Sequence, residues 1–247
     1  LCLMIRFTDK GIFCEPGNFY VDPWKPVDKA VITHAHADHS RWGMKHYLAH
    51  ELSAPIMKHR LGNDISVQTL AYGEPLMING VRVSLHPAGH IIGSSQVRIE
   101  YQGEVWVMSG DYKVEPDGVC EPFEPVKCDH FLTESTFGLP VFKWKPQEEV
   151  IAEINAWWKT NAENGVCSII SAYALGKAQR IINHVDASIG PIFTHGAVEN
   201  TNEVLRNAGQ QIPETILVTD QHKKPDFRNA LVVAMPSALG TAWMRKF

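Results

Sequence analysis

The sequence has no C-x-x-C pair, and its five cysteines (Cys2, Cys14, Cys120, Cys128 and Cys167) make an odd count. A disulfide framework is therefore not expected, and a reducing, cytoplasmic setting is. No apolar run approaches the roughly 18–20 residues that a helix needs to cross a bilayer. The start, Leu1-Cys2-Leu3-Met4-Ile5, is far too short for the apolar core of a signal peptide. No membrane partner is expected. Positive charge is not in excess either: the formal net charge is −4 with histidines neutral. A nucleic-acid partner would thus be held by a local basic patch or by metal ions, not by overall charge. Internal repeats and low-complexity tracts are also missing. What remains is a chain of 247 residues, 45% hydrophobic and 20% charged, ordinary for a globular protein of one large or two modest domains.

Against that background one stretch stands apart, Val31-Ile32-Thr33-His34-Ala35-His36-Ala37-Asp38-His39-Ser40. Ala30-Val31-Ile32 has the composition of a buried strand end. A strand's side-chain period of two would put His34 and His36 on one face. Asp38 and His39, entering a following helix, would aim at a neighbouring point. Imidazole nitrogens and carboxylate oxygens are the ligands that zinc, and less exclusively manganese, prefer. The alternative is a polar loop that happens to be rich in histidine, but crowded histidines are costly unless a metal or counter-charge holds them neutral.

Short strands are predicted at Gly11–Cys14, Asn18–Asp22, Pro75–Ile78, Val81–His86, Gln96–Tyr101 and Glu104–Ser109, with a hairpin turn at Tyr101-Gln102-Gly103-Glu104. Residues from Ser40 to about Arg60 are predicted helical. Three later segments carry polar chemistry: His86-Pro87-Ala88-Gly89-His90, Ser109-Gly110-Asp111, and Thr133-Glu134-Ser135-Thr136-Phe137-Gly138. Taken alone, His86 suits a half-buried structural histidine, Gly110-Asp111 an everyday turn, and Glu134 a helix start. Gly89 and Gly93 would let the backbone approach a metal closely.

From Pro146 the character changes. Gln147 to Trp158 has apolar residues at helical spacing, ended by Asn164-Gly165. Alternating strands and helices follow: Val166–Ile170, a helix after Ser171-Ala172-Tyr173-Ala174-Leu175-Gly176-Lys177, then Pro191–Val198, Glu199–Ala208, Glu214–Val218 and Leu231–Met235. This predicts a small parallel α/β unit. The loop before Lys177, at a helix N-terminus, could take a phosphate, although Lys177 and Arg180 could equally be solvated surface charge. His195 has no co-ligands near it in sequence.

The set His34-x-His36-x-Asp38-His39, Gly89-His90, Ser109-Gly110-Asp111, Glu134-Ser-Thr and Ser171-Ala-Tyr-Ala-Leu-Gly-Lys177 resembles the metallo-β-lactamase superfamily, and within it the nucleic-acid-cutting β-CASP branch. Glu15-Pro-Gly-Asn-Phe-Tyr-Val-Asp-Pro-Trp24 and Pro236-Ser-Ala-Leu-Gly240 resemble more narrowly the bacterial ligase-associated DNA exonucleases, related to Artemis and Apollo. The resemblance implies an α/β fold: an αββα sandwich over residues 1–146 with an inserted α/β cap over 147–247. It implies two divalent ions, zinc first and manganese second. His34, His36 and His90 would hold one ion, Asp38 and His39 the other, and Asp111 would bridge. Asp38, Asp111 and Glu134 would be the catalytic carboxylates, with Glu134 orienting a ligand from behind, and Ser135, Thr136 and Lys177 would contact phosphate. Relatives carry a Ser-Asp-His-Ala-Asp-like and a Thr-His-Gly-like segment beyond the cap. Here the chain ends at Phe247 before either, so the C-terminal part of the sandwich and the last ligand of the second ion are expected to be absent.

The expected function is metal-assisted phosphodiester hydrolysis, as an exonuclease acting on single-stranded DNA or DNA ends alongside a repair ligase or helicase. Lys143, Lys145, Lys223 and Lys224 would also touch phosphate. The alternatives are a β-CASP ribonuclease, a thioester or lactone hydrolase on the same metal core, and a catalytically silent nucleic-acid-binding fragment.

Overall fold

The structure is a computed structural model that describes residues 4–247; the Leu1–Leu3 part of the apolar start, with Cys2, lies outside the described residues. The chain folds as two compact units, the first ending at Gly138 and the second beginning at Leu139.

The first unit is built on two sheets. One holds six strands in sequential order: β1 (Ile5–Thr8), β2 (Gly11–Cys14), β3 (Phe19–Val21), β4 (Lys29–Val31), β5 (His46–His50) and β6 (Val67–Leu70). Its first three strands pair antiparallel, and β3 through β6 pair parallel. Helix α1 (Ser53–Leu61) makes the crossover from β5 to β6. The second sheet holds β7 (Leu76–Ile78), β8 (Val81–Pro87), β9 (Ser95–Tyr101), β10 (Glu104–Met108) and β11 (His130–Leu132). Here neighbours are antiparallel except β10 and β11.

Alternation decides which face of the second sheet turns inward. Val81, Val83 and Leu85 of β8, with Val97 and Ile99 of β9, are fully buried. They share one core with Phe19, Val21, Val31 and Leu48 of the first sheet. The predicted hairpin is present: Tyr101 pairs with Glu104, and Gln102 and Gly103 both have positive φ, as a tight two-residue turn demands.

The predicted helix from Ser40 to Arg60 is not what forms. Residues after His36 make a turn, with the His39 and Ser40 amides both donating to the His36 carbonyl. His46–His50 is a strand, and the helix is confined to Ser53–Leu61. Tyr47, Leu48, Ala49 and His50 are all buried, and β5 lies between two parallel neighbours. A strand covered on both faces shows no alternation, so a short apolar run of this kind cannot be told from a helix by periodicity.

The second unit has four strands, β12 (Ser168–Ser171), β13 (Ile192–Thr194), β14 (Ile216–Leu217) and β15 (Leu231–Ala234), in the order β12-β15-β13-β14. Every pair is parallel. Helices α2 (Gln147–Glu163), α3 (Lys177–His184) and α4 (Gly196–Asn207) alternate with the strands. Central β15 is buried along its whole length, as a parallel strand flanked on both sides should be. Trp158 of α2 is fully buried and its indole N–H donates to the Asn229 carbonyl at 3.0 Å. His195 caps α4, its Nδ1 accepting from the Ala197 amide at 3.2 Å. Among the described residues Cys14, Cys120, Cys128 and Cys167 are free thiols, and no helix is long and apolar enough to cross a membrane.

Candidate metal centre

The histidine segment leaves β4 at the end of a buried run: Ala30, Val31 and Ile32 are all within the core. Ile32 still bonds the β5 carbonyl of Leu48, and the Thr33 carbonyl accepts from Ser95 at the start of β9, which ties this turn to the second sheet. Arg60 of α1 donates to the Ala35 carbonyl at 2.6 Å and to Ser40 Oγ at 2.7 Å, closing the loop from below. The turn is therefore fixed by its surroundings before any ligand is considered.

His90 sits in the loop after β8. The hydroxyl of buried Ser94 accepts from the amides of both His90 and Ile91 at 3.1 Å, so one side chain holds the loop in shape. Gly89 and Gly93 have positive φ, and a Cβ at either would strike backbone, Lys113 O at 2.2 Å and Ser53 N at 2.7 Å. Their smallness thus serves packing against neighbouring chain.

These loops converge. His34 Nε2 lies 3.0 Å from His36 Nδ1, and His90 Nε2 lies 3.3 Å from the same atom. Asp111, after β10, brings Oδ2 to 3.5 Å from His90 Nε2 and 4.0 Å from His34 Nε2. Tetrahedral zinc with nitrogen ligands at about 2.0–2.1 Å sets those nitrogens about 3.3 Å apart. The spacing of His34, His36, His90 and Asp111 suits one ion of that size.

A second group lies on the other side of the same carboxylate. Asp111 Oδ1 is 3.9 Å from His39 Nε2, and Glu134 Oε2 is also 3.9 Å from it. His39, Asp111 and Glu134 form the second set of donors. Asp38 brings Oδ2 to 3.9 Å from His39 Nε2, but its side chain is 71% exposed and points largely to solvent. Glu134 was expected to stand behind a ligand; its carboxylate lies within reach of the other candidate donor atoms. Its amide is fixed by Ser109 Oγ at 3.2 Å.

The orienting role falls to a residue the sequence did not single out, Asp22. One oxygen accepts the Thr33 amide at 2.8 Å; the other accepts the Thr33 hydroxyl at 2.6 Å and faces His39 Nδ1 at 2.7 Å. Thr33 spends its only hydroxyl proton on Asp22, so its oxygen can only accept from His34 Nδ1, 3.1 Å away. Both His34 and His39 are thereby held with the proton on Nδ1 and the lone pair of Nε2 turned to the donor groups. One carboxylate sets two tautomers. The available signal was the Asp-Pro pair at the end of β3 with Asp22 at positive φ, a conformation that only coordinates reveal.

The electrostatics agree with metal chemistry. Burial, then the neighbouring imidazoles, holds His34 well below the usual histidine range. Burial first, and His36 next, pull His90 to about 4. His39 is the exception: burial would lower it, but the hydrogen bond and charge of Asp22, with Glu134 and Asp38 adding, raise it to about 9. Burial, opposed by His39 and reinforced by Asp111, raises Glu134. His34 and His90, held neutral beside carboxylates, are donors a divalent cation selects, whereas His39 would give up its Nε2 proton on taking an ion.

Other expected residues fall elsewhere. His86 is satisfied by Ser84 Oγ at 3.0 Å and Glu124 at 3.1 Å, outside both donor groups. Ser135 and Thr136 are exposed in the bend after β11. Lys177 opens α3 in the second unit, its ammonium 5.6 Å from the Tyr173 ring centre. Arg180 is engaged by Gln147.

None of the known protein-family models matches the chain. Among curated proteins, it is 26% identical over 249 residues to a probable DNA ligase of Opitutus terrae, a match covering 98% of this chain and 23% of that protein. It is 25% identical over 237 residues to an RNase J-like protein of Methanocaldococcus jannaschii, covering 79% of this chain and 54% of the relative. It is also 29% identical over 122 residues to Endoribonuclease YSH1 of Yarrowia lipolytica, covering 49% of this chain and 14% of that one. The chain thus spans between about a seventh and just over half the length of these relatives.

Proposed function

We propose that this chain, a relative of the β-CASP branch of the metallo-β-lactamase superfamily, forms the metal-holding part of a nuclease that hydrolyses phosphodiester bonds. On this reading the two-sheet unit is the metallo-β-lactamase αββα sandwich and the parallel unit is the cap, the units dividing between Gly138 and Leu139. The observation that carries the proposal is Asp111, whose two oxygens face two separate donor groups. That arrangement is what a carboxylate shared by two ions requires.

His34, His36 and His90 would hold one divalent ion, His39 with Glu134 and Asp38 the other, with zinc the first candidate and manganese the second. Such a pair, when bound, supplies an acidified water and neutralises charge on the phosphate oxygens. The chain's own residues do the rest. Asp22 and Thr33 keep the Nε2 lone pairs of His34 and His39 available. Ser94 and Arg60 hold the two loops in place. Ser135 and Thr136 in the first unit, and separately Lys177, Lys223 and Lys224 in the second, would offer phosphate contacts that carry no sequence information.

DNA is the favoured substrate, cut as an exonuclease on single strands or ends, because the relative matched over nearly the whole chain bears the name of a DNA ligase. This also motivates a repair ligase or helicase as a partner. RNA is the second reading, supported by the RNase J-like and endoribonuclease names of the other relatives. The four free thiols among the described residues support work in the reducing cytoplasm.

The test is a product ladder from end-labelled DNA and RNA of one sequence, run with zinc, with manganese and with a chelator. Metal-dependent cleavage that disappears in Asp111→Ala is expected. Turnover that survives this change, or that ignores the chelator, refutes the reading.

A further inference from the structure

A second feature bears on how a strand would be held. Between β11 and α2 the chain runs Phe142-Lys143-Trp144-Lys145, an alternation of aromatic and basic side chains with no regular secondary structure. Phe142 is 42% exposed and Trp144 is 71% exposed. Their rings are nearly parallel, 7° between planes, with centroids 6.2 Å apart. Lys145 is paired with Glu153 of α2, and Lys143 stands exposed beside the rings.

We infer that this segment is a stacking platform for unpaired bases of a single strand, with Lys143 and Lys145 on the flanking phosphates. Every base offers a π-face, so two parallel exposed rings accept successive bases without regard to sequence. The chain is acidic overall, with a net charge of −4, so attraction for a polyanion must come from local charges, here chiefly Lys143. Alternation of ring and ammonium matches the alternation of base and phosphate along a strand. A double helix, whose bases are already stacked, could use only the lysines. The segment therefore specifies single-stranded over double-stranded nucleic acid. The choice of nucleic acid as occupant rests on the nuclease reading above; the choice of single strand rests on the rings.

Binding is measured on the 247-residue chain in chelator, where no cleavage occurs, by anisotropy of a labelled oligothymidylate, an abasic oligomer of equal length and a duplex. Alanine at Trp144 should weaken binding of the oligothymidylate about tenfold. Binding of the abasic oligomer and the duplex should be unchanged, and Trp144→Phe should restore most of the loss. Lys143→Ala should weaken all three and lower the salt dependence by roughly 0.7 of a charge for the single strand. Circular dichroism and unchanged metal uptake establish that each variant is folded. Equal weakening of base-bearing and abasic strands by Trp144→Ala would overturn the proposal. So would unchanged DNA binding accompanied by loss of a concentration-dependent self-association, which would make the rings a protein-docking surface. A chain that binds strands through these rings but cleaves nothing with metal would defeat the nuclease reading alone; cleavage without ring dependence would defeat this inference alone.

Discussion

Replacing Asp22 with Asn removes one charge and reverses one donor while keeping shape, and the structure states what should follow. The retained oxygen can still accept the Thr33 amide, now 2.8 Å from Oδ1. The new NH2 occupies the position of Oδ2, which now receives the Thr33 hydroxyl at 2.6 Å and faces His39 Nδ1 at 2.7 Å. Two donors cannot face each other, so His39 must move its proton to Nε2 and give up the lone pair it turned to the donor group. The Thr33 hydroxyl, no longer drawn to Asp22, is free to donate to His34 Nδ1 at 3.1 Å, and His34 follows the same course. Loss of such an orienting partner costs about 10–100-fold in metal affinity, or about 1.4–2.7 kcal/mol. Both donor groups should suffer, because one residue governs a histidine in each. Thr33→Val breaks only the branch to His34 and should weaken the first group alone. Competition with a chromophoric chelator gives the two affinities, and nitrogen chemical shifts of the imidazoles give the tautomers. If Asp22→Asn binds both ions as tightly as the parent chain, with unchanged tautomers, the relay argument is wrong.

Three further outcomes follow from burial. Leu85→Ala, at a fully buried position in the core shared by the two sheets, should cost about 2.5–5 kcal/mol; a denaturant midpoint that falls at constant slope checks it. Trp158→Phe leaves the Asn229 carbonyl without its indole donor and should destabilise the second unit by about 1–3 kcal/mol, read from its thermal transition. His50 is buried, stacked on Tyr72 at 3.6 Å, and accepts the Leu52 amide on Nδ1. Burial lowers it from 6.5 to about 4. Below the unfolded value the unfolded chain takes up a proton that the folded one refuses, so its stability contribution is complete above pH 6.5 and is lost as the pH falls towards 4. The loss should be about 2–3 kcal/mol, and His50→Phe should lack that part of the acid dependence in denaturant titrations run across this window.

Local chemistry in the sequence was enough to mark the histidine segment after a buried strand and the strands of the second sheet, because their cues are short-ranged, whereas Asp111 was singled out only by the family resemblance. Period-two hydrophobicity in Val81-Arg82-Val83-Ser84-Leu85 and the turn residues Gln102-Gly103 act within a few positions. The parallel unit was legible for the same reason, through apolar runs such as Leu231–Ala234 alternating with helical spacing. What the tertiary structure decided is non-local. Tyr47-Leu48-Ala49 became a strand because β4 and β6 flank it, and the same letters would serve a buried helix. Asp22 gained its role because its positive-φ bend places both oxygens beside Thr33 and His39 across two strand ends. Glu134 came among the donors because β11 pairs parallel to β10, which sets the loops after both strands at the same edge of the sheet. Composition fixes which atoms can bind a cation; only register and loop path fix which of them meet.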